Sequence, residues 1–432
     1  MDSASWSGRP RPLVGLTRPA GDRIRVALVS EHASPLTEPG EVDAGGQNVH
    51  VAALARSLAE AGHTVTVHTR RTSPDQAQTV ALAPGVTVEH VDAGPAAPLP
   101  KDELLPHMGE LARNLHRSWV RRRPDVAHAH FWMSGVATLG AARPLDIPVV
   151  QTFHALGVVK RREQGTDDTS PSERLGIEAG LAAAVDCIIA TCKDEASELV
   201  RIGAPPERIT VAHCGVDLGA FRPDGPVEHR PAGVARLLSL GRLVPRKGTD
   251  VVIRALASVP RAELIVAGGP PAGQLGEDPE ARRLLDVARR AGVAGRVRFV
   301  GGLPRHRVPA LLRSADLVVC TPWYEPFGMV PLEAMACGVP VVARPVGGLA
   351  ETVRHGVTGL HVADPSPRAL AEAITGLLAD PDRRRTMARA ARACAESRYS
   401  WERVATLTVA AYRSVLDEPA DAVLSAPMGS AW

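Results

Sequence analysis

The sequence predicts an α/β protein made of two Rossmann-like domains, each with a parallel sheet. Three observations carry that prediction. Short apolar runs alternate with helical patterns along nearly the whole chain, which is how right-handed crossovers between parallel strands read in sequence. The alternation breaks once, in a Gly- and Pro-rich stretch from Leu218 to Gly233, and then restarts. A chain of 432 residues is also too long for one ordinary core.

Residues 1–20 are rich in Arg and Pro and lack an apolar segment, so they read as a flexible tail and not as a secretory signal. An N-terminal domain over 21–217 opens with a strand, Ile24 to Val29. A Gly-rich turn follows, Asp43-Ala44-Gly45-Gly46-Gln47-Asn48, and then a helix from about Val49 to Ala61 with Val51, Leu54 and Leu58 on one side. Further strands are expected at His63 to Thr69, Val86 to Val91, Val126 to His130, Val149 to Phe153, Cys187 to Ala190 and Ile209 to Ala212. Helical patterns intervene near 103–122, 133–143, 172–184 and 193–202. Residues 218–233 read as the linker. In a C-terminal domain over 234–400, strands are expected at Leu237 to Leu240, Ala262 to Ala267, Val297 to Val300, Leu317 to Cys320 and Val339 to Ala343. Its helices fall near 248–258, 279–291, 306–313, 329–337, 347–354, 367–379 and 381–396. A last helix, 401–417, either caps its own domain or crosses back to the first, and 418–432 read as a tail.

Hydrophobic residues make up 45% of the chain and charged residues 22%, which excludes wholesale disorder. Aromatics are only 3%, so the core must be mostly Ala, Val and Leu. A net charge of +3 gives no reason to expect a nucleic-acid partner. The six cysteines form no C-x-x-C pair, and several sit inside apolar runs, as buried free thiols of a cytoplasmic protein would. No apolar run approaches the length of a membrane span. A dinucleotide enzyme is disfavoured, because no G-x-G-x-x-G follows Val29, Leu240 or Ala267. After Ala267 come Gly268-Gly269-Pro270-Pro271, and the prolines lack the amide donors a pyrophosphate needs.

The stretch with the most chemistry is Tyr324-Glu325-Pro326-Phe327-Gly328-Met329-Val330-Pro331-Leu332-Glu333, set between two buried-strand patterns. Glu325 falls on a loop and Glu333, eight residues later, on a short helix starting near Met329. Pro331 suits a first helical turn, which has no intrahelical use for its N–H, and Gly338 suits the helix end. A helix N-terminus at the carboxyl end of a parallel strand is a site for anions and ligands. Upstream, Arg242 and Lys247 leave the first strand of the second domain and precede a helix. Two cations there would stabilise charge growing on a diphosphate leaving group, Arg as a planar fork and Lys as a point charge.

The Glu-x7-Glu stretch resembles the signature of the family 4 retaining glycosyltransferases of GT-B fold, in which two such domains face each other across a cleft. The resemblance implies that Glu325 approaches a donor sugar, that Glu333 holds the nucleotide ribose, and that Arg242 and Lys247 hold the diphosphate. It adds Phe327, Gly328, Met329 and Val330 to the donor side. Gly45, Gly46 and Asn48 are similar to the family's Gly-Gly-x-Asn loop, which faces donor phosphate and acceptor, and Gln47 suits the sucrose-phosphate-synthase-like branch. His154 stands where the family has a histidine close to the transferred sugar. His128 and His130 share one face of a strand, but no neighbouring Cys or carboxylate completes a metal site. The basic residues Lys101, Lys160, Arg161, Arg162 and Arg174 are expected on the acceptor side. In the similar mycothiol-pathway inositol-phosphate N-acetylglucosaminyltransferases, a Lys, Tyr, Thr and Arg bind the acceptor phosphate. Lys101 and Arg174 match two of these, while Phe131 and Ala155 replace the Tyr and Thr.

The implied activity is transfer of a hexosyl group with retention, from a nucleotide-diphospho-sugar to a hydroxyl of a sugar, sugar-phosphate or cyclitol. UDP is the commonest base in the resembled branch. No cofactor is expected, since the cations stand in for a metal, and the oligomeric state is not readable. Two other readings stay open at this level. One is a retaining glycoside hydrolase using Glu325 and Glu333, which needs two carboxyls about 5 Å apart. The other is a non-catalytic nucleotide-sugar binder.

Overall fold

A computed structural model describes residues 23–37 and 45–417. The tail assignments for 1–20 and 418–432, and the turn residues Asp43 and Ala44, lie outside the described residues. The first half of the chain runs β1 (Arg25–Val29), α1 (Gly46–Glu60), β2 (Thr64–Arg70), β3 (Thr79–Ala83), β4 (Val86–Val91), α2 (Met108–Arg121), β5 (Val126–His130) and α3 (Trp132–Ala142). It continues with β6 (Val149–Thr152), α4 (Gly157–Gln164), α5 (Arg174–Ala184), β7 (Cys187–Ala190), α6 (Lys193–Arg201) and β8 (Ile209–Val211). The second half runs β9 (Ala235–Leu240), α7 (Thr249–Leu256), β10 (Ala262–Ala267), α8 (Pro279–Arg290), β11 (Val297–Gly301), α9 (Val308–Ser314) and β12 (Leu317–Cys320). After these come α10 (Met329–Ala336), β13 (Val341–Ala343), α11 (Leu349–Thr352), β14 (Gly359–His361), α12 (Pro367–Leu378), α13 (Pro381–Arg398) and α14 (Trp401–Asp417).

The strands form two sheets, ordered β3-β4-β2-β1-β5-β6-β7-β8 and β11-β10-β9-β12-β13-β14. Every pairing is parallel except β3 on β4. Each sheet reverses its winding once, between β1 and β5 and between β9 and β12. At such a switch point two loops leave neighbouring strand ends in opposite directions and open a crevice. Both sheet faces are covered. In the first sheet, Val29 and Ala127 pack with α2 and α3 residues such as Leu115 and Ala137. On its other face, Val26 and Leu28 pack with Val51 and Leu54 of α1.

Three departures from the sequence reading have local causes. Helix α1 begins at Gly46 and not near Val49, because Asn48 Oδ1 accepts the Gly45 N–H and closes the turn as a cap. Strand β13 begins at Val341 and not at Val339. Gly338, at φ +71°, ends α10 with its own N–H on Met335 O and the Val339 N–H on Ala334 O, so Val339 belongs to the helix stop. The edge strand β3, Thr79-Val80-Ala81-Leu82-Ala83, is not among the expected strands: it pairs only with β4 and its residues are half-buried or exposed, so its short apolar run lacks the full burial that marks the central strands.

Helix α14 lies on the first sheet although it follows the second in sequence. Trp401, Val404, Val409 and Tyr412 share a core with Val26, Leu28 and Leu54. The two strands of chain that pass between the sheets bond to each other, Val216 N–H donating to Tyr399 O at 2.8 Å beside a bridge from Val216 to Ser400. Gly215 lies under the Trp401 indole, where a Cβ would come within 2.6 Å of the ring. Trp401→Ala should therefore cost about 3–5 kcal/mol of stability by opening a cavity at this junction, read as a lower urea midpoint. A loss near zero would show that α14 does not anchor the second half of the chain to the first.

Candidate active site

The carboxyl ends of β9 and β12 supply one wall of a crevice. It is lined by Arg242, Lys247, Thr249, Cys320, Glu325, Val330 and Pro331. Gly248, at φ +68°, lets the chain turn into α7 with its Cα against Thr321, where a Cβ would lie 2.0 Å from Thr321 O. That turn carries Lys247 to Glu325, and the two side chains form an ion pair. Burial alone would raise the Glu325 carboxyl. The Lys247 ammonium outweighs it, helped by Arg246 and the Gly328 N–H, and holds Glu325 below the ordinary range. Arg242 is exposed at the crevice rim and bears on Arg246, whose guanidinium is lowered by burial and by that neighbouring cation. Glu333, in the second turn of α10, is 2% exposed and pairs with Arg305 at 2.5 Å. Here burial wins over the cation and the carboxyl sits above its ordinary range.

The facing wall comes from the switch point of the first sheet. His154 follows β6 at φ +63°, an uncommon backbone conformation for a non-glycine residue. Its Nε2 shares a proton with His130 Nδ1 at 2.9 Å. His130 lies tilted against His128, ring centroids 4.2 Å apart, and His128 bonds Tyr412 Oη at 2.8 Å and Thr152 Oγ1 at 2.9 Å. His50 of α1 joins the cluster, 5.2 Å from the His154 ring. Burial pushes all four imidazoles down, His50 to about 4, His128 to about 3, and His130 and His154 well below the ordinary value, so each is neutral at pH 7. His128 and His130 thus hold each other and α14 in place. Among the described residues, no three or more His, Cys, Asp or Glu side chains are grouped to hold a metal ion.

The walls touch. Phe327 packs 5.1 Å from the His154 ring, and a Cβ on Gly46 would come within 3.2 Å of Met329 Sδ. Gly46 is small because the second sheet's loop approaches it. Thr191 Oγ1 lies 3.3 Å from Pro326 O, and Glu351 accepts the Lys193 N–H at 2.6 Å and bonds His213 Nε2 at 3.0 Å.

The residues expected on the acceptor side gather around Phe131. This residue lies between β5 and α3 at φ +83°, buried, with Lys101 Nζ 5.4 Å and the Arg174 guanidinium 5.1 Å from its ring centre. Arg174 is committed to protein groups: Nε to Glu178 Oε1 at 2.7 Å, Nη1 to Ser170 Oγ at 3.1 Å and Nη2 to Ala155 O at 2.6 Å. Asn48 is likewise engaged, its amide donating to Ser34 O at 2.9 Å. Lys160 pairs with Asp168 at 2.9 Å and shares Ser170 Oγ with Arg174, while Arg162 pairs with Glu198 at 2.9 Å. Sequence reading missed His50, Arg305, Thr191 and Glu351, since each reaches the crevice only through tertiary packing. The one sequence signal was the His-x-His of β5, which placed His130 on a shared face without showing its bond to His154.

Comparison with known proteins gives the family. The profile for "Glycosyl transferases group 1" matches residues 226–393 and that for "Glycosyltransferase Family 4" residues 44–220. A D-inositol 3-phosphate glycosyltransferase of Kribbella flavida is 42% identical over 92% of this chain and 98% of its own length. The chain belongs to glycosyltransferase family 4. The namesake enzyme of Acidothermus cellulolyticus is 39% identical over 91% of each chain. Among solved structures, sucrose-phosphate synthase from Thermosynechococcus elongatus superposes with a TM-score of 0.83 at 30% identity, covering 91% of this chain and 99% of that one. The family 4 chain therefore has the GT-B fold, with its two Rossmann-like sheets meeting across the crevice just described.

The ion pair makes a prediction about protons. Glu325 is held below the ordinary carboxylate range, so it contributes stability above the unfolded pKa, and that contribution is lost as pH falls through the folded one. Lys247→Met should move the Glu325 carboxyl from below to above the ordinary range. A ¹³C titration in which it stays low would show that another group ionises it.

Proposed function

We propose that this family 4 glycosyltransferase moves a hexosyl group, with retention, from a nucleotide-diphospho-sugar to a hydroxyl of a sugar, sugar-phosphate or cyclitol. The observation that carries the reading is the Lys247–Glu325 pair at the β9/β12 switch point, with Arg242 at the rim and the neutral His154 opposite. In this reading the diphosphate lies against Arg242 and Lys247 at the start of α7, where positive charge meets the negative charge that grows as the glycosidic bond breaks. The sugar projects towards His154, and Glu325 orients it. The backbone from Phe327 to Val330, at the head of α10, borders the donor, and Glu333 takes the ribose hydroxyls. The acceptor attacks from the face the leaving group vacates, and the departing phosphate receives its proton. A UDP-linked donor is the expectation. A glycosidase reading would leave Arg242, exposed at the rim, without a task. Six free thiols, five of them buried, support a reducing cytoplasmic setting.

On the acceptor side, the inositol-phosphate relatives supply a comparison and Phe131 supplies a difference. Lys101 and Arg174 bracket an aromatic ring, and Ala155 offers no hydroxyl. Each missing hydroxyl donor would weaken capture of a phosphate by about 1–3 kcal/mol in a desolvated site. We therefore favour an acceptor whose phosphate, if present, is held less tightly than in those relatives.

A panel of nucleotide sugars, with and without hydroxyl acceptors and with nucleoside diphosphate release as readout, tests the transfer reading. Sugar release without any nucleoside diphosphate would overturn it. Lys247→Ala should lower turnover about 10²–10³-fold, and turnover near the parent's would remove Lys247 from the leaving-group site. The double variant Phe131→Tyr with Ala155→Thr should improve use of phosphorylated acceptors over neutral ones. Unchanged acceptor preference would show that the phosphate is not bound there.

A further inference from the structure

Glu195 has no part in the chemistry above, yet it is only 2% exposed and stands beside the loop that carries Glu325. Its Oε2 lies 2.6 Å from the Thr191 N–H nitrogen and 2.6 Å from Thr191 Oγ1, while its Oε1 is buried and has no hydrogen-bond partner. Thr191 Oγ1 in turn lies 3.3 Å from Pro326 O, a carbonyl of the facing domain. A threonine hydroxyl has one proton and so can donate to the carboxyl or to the carbonyl, not both. With Glu195 ionised, the hydroxyl is drawn to the carboxylate and Pro326 O loses its partner. With Glu195 neutral, the carboxyl donates to Thr191 Oγ1, whose own proton is then released to Pro326 O. The acid proton belongs on Oε2, because an O–H on Oε1 would be a buried donor with nothing to receive it.

A glutamate three residues into a helix that reaches back to a backbone N–H is also an ordinary cap, and the helix end favours an anion. Two features of the surroundings oppose an anion here. The carboxyl is 2% exposed, and one of its two oxygens has no hydrogen-bond partner. The ionisable groups facing it are Glu178 of α5, Asp194 of its own helix, Cys192, Cys214 and Tyr324, all acids or thiols, and the Arg174 guanidinium behind Glu178 is paired with that carboxylate at 2.7 Å. Burial raises its carboxyl, the Thr191 bonds oppose this, and the neighbouring acids add to it.

We infer that Glu195 is a positioning residue that acts as a neutral acid: through Thr191 it clasps Pro326 O and so holds the Glu325 loop against the first domain. The clasp itself stands on the geometry, and only its catalytic consequence rests on the transfer reading.

Amide hydrogen exchange over 324–329 in the full-length protein tests the clasp, with nucleoside diphosphate release measured alongside. Thr191→Val should raise exchange in that segment about tenfold, and Thr191→Ser should restore it. Glu195→Gln, whose amide can donate to Thr191 Oγ1 but whose nitrogen cannot also accept the Thr191 N–H, should exchange more slowly than Glu195→Ala, which removes both bonds. After correction for intrinsic rates, the parent's segment should loosen as pH rises through the Glu195 pKa, and that of Glu195→Gln should not. Parent-like exchange in Thr191→Val would overturn the clasp. Exchange in the parent's segment that stays flat or slows as pH rises through the Glu195 pKa would show that the ionised carboxylate is the working form and overturn the neutral-acid assignment. If the parent releases no nucleoside diphosphate with any donor, the transfer reading fails while the exchange result still decides the clasp.

Discussion

The segment from Tyr324 to Met329 is gripped from both domains at once, and the rest of the site depends on that. From its own side, Lys247 pairs with Glu325, and the Gly348 N–H bonds Glu325 O at 2.8 Å. From the other side come the His154 ring against Phe327, Gly46 against Met329 and Thr191 against Pro326 O. A loop at a strand end is ordinarily mobile. Here a charge pair and a set of close contacts between domains give it one geometry, which is what a site for bond-breaking at a sugar requires.

Electrostatics sorts the two glutamates of the signature. Glu325 has a lysine, an arginine and a backbone N–H around its carboxyl, and these outweigh burial. Glu333 has Arg305 alone and is more deeply enclosed, so burial prevails. The same residue type thus carries opposite proton affinities eight positions apart. The four histidines across the crevice follow a simpler rule. None has an acid close enough to offset burial, and each lowers its neighbours further or is lowered by them, so the wall they form is neutral.

Helix α14 ties these features together. Tyr412 bonds His128, and the Trp401 ring edges His50 at 5.3 Å, so the C-terminal helix buttresses the histidine wall from behind. The same helix leaves the second domain beside Val216, where the two crossing strands of chain are hydrogen-bonded. Support of the site and connection of the domains are therefore one piece of structure. This makes the geometry at His154 sensitive to how the domains are joined.

Much of this was legible in the sequence, and the reason is periodicity. Buried parallel strands read as apolar runs, so β5, β7, β10 and β12 could be bounded to the residue. The Glu-x7-Glu stretch with Arg242 and Lys247 was legible as well, by its resemblance to the family 4 signature, because the residues of each pair lie close together along the chain. What sequence could not supply was partnership across the fold. It had no means to show that Arg174 and Asn48 are already bonded within the protein, that Arg305 meets Glu333, or that Glu195 and Thr191 reach Pro326 from 131 and more positions away. Those pairings depend on where two domains dock. Docking is decided by the summed fit of Trp401, Phe327, Gly46 and Met329, none of which leaves a repeating trace along the chain.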